Sequence, residues 1–214
     1  MDGVVSAGVT PQDEPADRVK PPYVADERTT LDGWLDFHRR TLLWKCEGLT
    51  DDQLRSRPVP PSTLSLIGLV RHMAEVERGW FADHFGMDDA TLYCTEEAPA
   101  ADFDDIDSAD IAADLATLRA EIDTYREAAT AFNLDHIETT ADGRQFGLRW
   151  VYTHMIEEYA AAQRSRRYVA RGHRRRDGRL RPGSRRGRRR LYKGPWVARS
   201  QTPVRRRRPA ANAL

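Results

Sequence analysis

The chain holds 214 residues, enough for one domain with a buried core and tails at its ends. Of its 34 Lys and Arg and 33 Asp and Glu, 20 basic residues but only one acid, Asp177, lie from Ala161 onward, so residues 1–160 carry 32 acids against 14 basic side chains. An acidic body argues against nucleic-acid binding outside the tail, and the lack of a long apolar run argues against a membrane span.

Residues 1–24 are rich in Pro, Gly, Asp and Ala without periodicity, and residues 1–26 read as a flexible arm. The first helix is predicted to start near Thr29 or Thr30 and to run to about Glu47. Leu31, Leu35, His38, Leu42 and Cys46 form its stripe, and Gly48 stops it. Thr50, Asp51 and Asp52 can cap a short turn through Leu54, and three prolines between Arg57 and Pro61 make an extended connector.

Ser62 or Thr63 is the expected cap of the second helix, LSLIGLVRHMAEVERGWFADHF, which Gly86 ends. Leu66, Val70, Met73, Glu77 and Trp80 recur at steps of three and four, and His72 sits between Leu69 and Val76 beside that face. Residues 87–107 are acidic and dotted with Ala and Pro, a crossover long enough to cover a pocket. The third helix has Ser108 as expected cap and Asp110 in its first turn. Its seam is Ile111, Leu115, Leu118, Ile122, Tyr125, Ala129 and Phe132.

Asn133 to Gly143 is a connection with Asp142-Gly143 as its turn signal, and the fourth helix is expected from Phe146. Its stripe is Leu148, Val151, Met155, Glu158 and Ala162, with His154 one turn before Glu158. No strand pattern of useful length occurs. The expectation is an all-α fold, an antiparallel four-helix bundle over residues 27–160.

A carboxylate on the inner stripe of one helix and an imidazole on another is how bundles build metal sites, so His72 and Glu158 are candidate ligands and His154 a weaker one. Each also has a plain structural use: a hydrogen-bonded core histidine, a carboxylate paired with Arg, a surface imidazole. Trp34, Trp44, Trp80 and Trp150 read as core and interface, and Cys46 as a small buried hydrophobe. Cys46 and Cys94 show no CxxC spacing and no apolar leader opens the chain, which fits a reducing cytoplasm.

The segments LIGLVRHMAEVERGWF and HMIEEYA resemble the DinB/YfiT-like family of four-helix bundles over about Glu27 to Ala160. The closer resemblance is to its actinobacterial branch, labelled DinB-family or mini-circle proteins and related to mycothiol-dependent maleylpyruvate isomerase. It implies a divalent metal, commonly zinc, held by a histidine of the second helix and two residues of the fourth. Carried over, these are His72 and Glu158, with His154 as a substitute ligand or a partner behind one. It also implies a small thiol such as mycothiol as cofactor and an electrophile as partner in thiol transfer or isomerisation. Metal binding suits that chemistry because a metal-bound thiol is deprotonated at neutral pH.

The chain leaves the family pattern after Ala160. Relatives continue with something like Arg-His-Asn-Gly-His-Ala-Asp, whereas this chain reads Ala161-Ala162-Gln163-Arg164-Ser165-Arg166-Arg167, and the resemblance puts a third ligand at Ala162. Permitted codons for this stretch, read one base out of phase, encode Arg-His-Asn-Gly-His-Ala. The favoured reading of residues 161–214 is therefore a frameshift product, disordered beyond one or two helical turns. Three functions follow: a metal-dependent thiol-transferase-like enzyme with an incomplete site, a non-enzymatic small-molecule-binding or interaction bundle that could be a homodimer, or a protein whose tail binds nucleic acid non-specifically through Arg185–Arg190 and Arg205–Arg208.

Overall fold

The computed structural model describes residues 15–58, 61–140 and 143–176, with side chains as far as Gln163. Asp26 caps α1 (Glu27–Trp44), its carboxylate accepting from the Thr29 N–H at 2.9 Å and the Thr29 hydroxyl at 2.7 Å. The helix therefore begins before the Thr29 start expected from sequence, because one aspartate satisfies both groups. It also ends before Glu47, in a turn closed by Gly48 at φ 66°. α2 (Asp51–Arg55) carries a capping box in which Thr50 and Gln53 exchange hydrogen bonds.

α3 (Leu66–Glu77) is capped by Ser65, whose hydroxyl accepts from the Gly68 N–H at 3.0 Å. Neither expected cap, Ser62 or Thr63, takes that role; Ser62 accepts from the Leu64 N–H in the preceding turn. α3 runs on through a π-helical turn, Arg78–Ala82, and stops at Gly86. The wider turn re-aims the side chains that follow Glu77, Trp80 among them.

The crossover contains a short helix, α4 (Ala101–Asp104). α5 (Ile111–Ala129) is capped by Asp110, not Ser108: the aspartate accepts from the Ala113 N–H at 3.0 Å. Two strands not foreseen in the sequence, β1 (Ile137–Thr139) and β2 (Gln145–Gly147), pair antiparallel with Ile137 opposite Gly147. Each has three residues, too few to show an alternating pattern. Phe146 belongs to β2, and α6 (Leu148–Arg176) starts directly from the hairpin. There the Leu148 and Arg149 N–H groups donate to the His136 and Leu134 carbonyls, so backbone takes the place of a side-chain cap. α6 continues about four turns past Ala160, further than the one or two expected.

The described chain is mostly helical with a small two-stranded sheet. α1 and α6 run the same way, since Glu27 meets Arg149, Arg28 meets Tyr152 and His38 meets Gln163. α3 and α5 also run together, through Arg71–Asp114 and Arg78–Glu121. The two pairs oppose each other: Glu77 meets Tyr159 whereas Trp80 meets His154, and Arg28 meets Ala129 whereas Asp36 meets Arg126. Short connections force antiparallel neighbours; the long crossover from α3 to α5 is what permits the parallel pair, a departure from the all-antiparallel order expected.

Leu35, Leu42, Ile67, Met73, Leu118, Leu148, Met155 and Tyr159 fill the core. The α5 seam is buried at Ile111, Leu118, Ile122 and Tyr125, while Phe132 is half-buried against it. Among the described residues no helix is long and apolar enough to cross a membrane. The arm through residue 14 and the tail from residue 177, with its two Arg runs, lie outside the described residues.

Leu118 has no exposed surface, so Leu118→Ala is expected to cost about 2–5 kcal/mol. Urea denaturation measures it, and a loss below about 0.5 kcal/mol would show that the seam does not pack as described.

Candidate functional site

The polar centre of the fold is Glu77, fully buried on α3. Arg39 of α1 donates to both of its oxygens at 2.7 Å, and the Tyr159 hydroxyl of α6 donates to Oε1 at 2.7 Å. Burial, and after it the Glu77 charge, push the Tyr159 phenol well above its ordinary pKa. Every strong acceptor and donor here is used, so this cluster holds helices together and offers nothing to a ligand.

His72 lies about one and a half turns nearer the start of α3. Its Nδ1 stands 2.9 Å from Oδ2 of Asp102, which is 4% exposed, and its ring packs on Phe103 at 5.1 Å between centroids. Both partners come from α4, so the crossover does cover this face of α3. Glu75 anchors the same crossover, its Oε1 accepting from the N–H groups of Leu92, Tyr93 and Cys94. Arg71 adds a bond to the Asp105 carbonyl at 3.0 Å. Cys94 is half-buried near Asp102; burial, and then the charges of Asp102 and Glu75, push its thiol up to about 12, so it is a poor nucleophile. Cys46 is buried, its thiol directed at the Leu42 carbonyl at 3.5 Å.

His154 and Glu158 face each other along α6, Nε2 to Oε1 at 3.4 Å. The imidazole lies flat on Trp150 at 4.9 Å and edge-on to Trp80 at 4.7 Å. Trp80 is past Glu77 on α3, on the other side of it from His72. The residue that α6 turns into the centre is Tyr159, while Glu158 beside it is only part-buried.

The opposed register of α3 and α6 also locates the level of His72. Going back along α3 from Glu77 to His72 corresponds to going forward along α6 from Tyr159, to the turn that holds Ala162. Ala162 is buried, at 6% exposure. A side chain longer than alanine there would start from an inward-facing Cα.

A family model described as mycothiol-S-transferase matches residues 30–163. The chain belongs to the mycothiol-S-transferase family. No curated protein and no solved structure matches it. The matched stretch begins in α1 and stops just past Ala162, so it includes His72, Asp102, His154 and Glu158.

A catalytic zinc site takes three protein ligands and keeps one position open. Among the described residues no three His, Cys, Asp or Glu side chains are placed to hold a metal ion. His72 has its Nδ1 engaged by a carboxylate at 2.9 Å, as metal-ligating histidines commonly do. The donor set therefore does not fit a complete zinc site. The Asp102 partner was not foreseen, because it lies in an aperiodic acidic loop thirty positions from His72.

A histidine pair sits beyond the π-helical turn. His84 is 3% exposed, neither ring nitrogen has a hydrogen-bond partner among the described residues, and His136 packs edge-on to it at 5.1 Å. Burial, then the neighbouring His136, push the His84 pKa down to about 4 from an ordinary 6.5. The folded protein thus binds fewer protons than the unfolded chain between those values. The His84 contribution is fully present above about pH 6.5 and is lost as the pH falls towards 4. Urea midpoints measured from pH 7.5 to 4.5 should fall less steeply for His84→Leu than for the native chain, whereas parallel profiles would remove His84 as a cause.

Proposed function

We propose that this protein is a thiol S-transferase of the mycothiol type, built on a DinB/YfiT-like four-helix bundle that spans residues 27–160, and that its metal site is incomplete. The observation that carries this is the family match over residues 30–163, the stretch that contains the oriented His72. In the reaction a small thiol R–SH adds to an electrophile E–X. An S–E bond forms, the E–X bond breaks, X departs with the electron pair, and the thiol proton is released. A reducing cytoplasm, where such thiols stay reduced, suits this chemistry.

What the chain's own residues do is limited to what they reach. His72 presents an imidazole 28% exposed at the side chain, so its free edge meets solvent under the crossover. Asp102 and Phe103 shield its other edge. A divalent metal, zinc in the first place, would supply a deprotonated thiol at neutral pH when bound. His72 is its first candidate ligand; Glu158 and His154 follow, and their mutual pairing is the competing use of both. Ala162 stands at the level of His72 and contributes no donor, so no step is assigned to a metal in this chain.

The test is conjugation of mycothiol to an electrophilic bimane, followed by mass spectrometry of the product. The native chain should turn over slowly, and Ala162→His should raise the rate at least about tenfold, the lower range for repairing a metal-ligand shell. His72→Ala in that background should abolish the gain. Rates equal to the uncatalysed reaction in both the native chain and Ala162→His would sink the transferase reading and favour a binding bundle.

A further inference from the structure

The crossover segment does more than roof the α3 face. Gly68 and His72 are one turn apart on α3, and Phe103 and Asp102 are adjacent on α4, so the two pairs meet as a matched set. A Cβ on Gly68 would stand 2.7 Å from the Phe103 ring, so glycine is what allows that ring to seat against the helix. With Phe103 seated, Asp102 is carried to His72 and buried there at 2.9 Å. Its other oxygen, Oδ1, accepts from the Phe103 N–H at 3.0 Å, which fixes the carboxylate's rotation.

An ionised carboxylate only accepts hydrogen bonds, so the neutral imidazole must place its proton on Nδ1 to bond with it. Nε2 is then left with a bare lone pair. That nitrogen makes no hydrogen bond among the described residues. An imidazole free in water favours the opposite tautomer, with the proton on Nε2, which can neither bind a metal nor accept a proton there.

We propose that Asp102 is the positioning residue for His72: delivered by Phe103 in the Gly68 notch, it holds the imidazole as the Nδ1–H tautomer and turns the Nε2 lone pair to the site. Its importance for turnover rests on the thiol-transferase reading; its effect on the ring does not. Sequence spacing hides the arrangement because the two halves lie in different elements and only the fold joins them.

Nitrogen-15 NMR of the full chain, labelled in histidine and recorded on the neutral ring, reads the tautomer directly. The native protein should show His72 protonated at Nδ1. Asp102→Ala should move it to the Nε2–H form, and Asp102→Asn, which keeps an acceptor oxygen, should restore the native form. Gly68→Ala, which touches neither partner, should displace Phe103 and give the Asp102→Ala spectrum. His136 and His154 signals report that each variant is folded. A native His72 protonated at Nε2, or a tautomer unchanged in Asp102→Ala, overturns the proposal. In the Ala162→His background, Asp102→Ala should lower kcat about tenfold or more with a smaller change in KM. If the tautomer moves as described while no variant conjugates mycothiol, the positioning role stands and the transferase reading falls.

Discussion

The Arg39–Glu77–Tyr159 cluster is the interaction on which the rest of the structure depends. A carboxylate with no exposed surface is tolerated only when its charge is paired and its oxygens are bonded, and losing one partner of such a pair costs about 3–5 kcal/mol. The cluster takes one residue from each of α1, α3 and α6, and only one alignment of the three helices satisfies it. A shift of one turn between α3 and α6 would leave Glu77 against Met155 or Ala162, apolar neighbours that cannot answer its charge. Register is therefore set by electrostatics at the centre and by apolar packing above and below it.

Everything at the candidate site inherits that register. It puts Trp80 against His154, which makes the His154–Glu158 pair one wall of an aromatic cluster with Trp150. On the other side of Glu77 it brings the His72 level to Ala162. The π-helical turn falls just after Glu77, so the stretch of α3 that carries His72 is regular and the stretch that carries Trp80 is re-aimed. The crossover then completes the His72 face from outside, clamped by Glu75 and Arg71 and seated at Gly68.

The helices were legible in the sequence because α3 and α5 repeat apolar residues at steps of three and four. Ile111, Leu118, Ile122 and Tyr125 are buried for that reason. The α6 stripe was harder: Glu158 and Tyr159 are adjacent, and spacing from Met155 admits either. The phenol won because it spans the gap to Glu77 and buries a ring, which a carboxylate does not. Asp102 was out of reach, since a four-residue helix has no period and its value comes only from docking. Helix starts moved by a few residues wherever a nearby aspartate or serine capped better, as Asp26, Ser65 and Asp110 do.

The family match ends just past Ala162, a buried position on α6. Under the proposed function the scaffold is intact up to that turn, and what is missing there is a ligand, not a fold. Calorimetric titration of zinc into the native chain and into Ala162→His tests this most directly. Weak binding by the native chain and affinity at least about tenfold higher in the variant are expected. Equal affinities in the two proteins would contradict it.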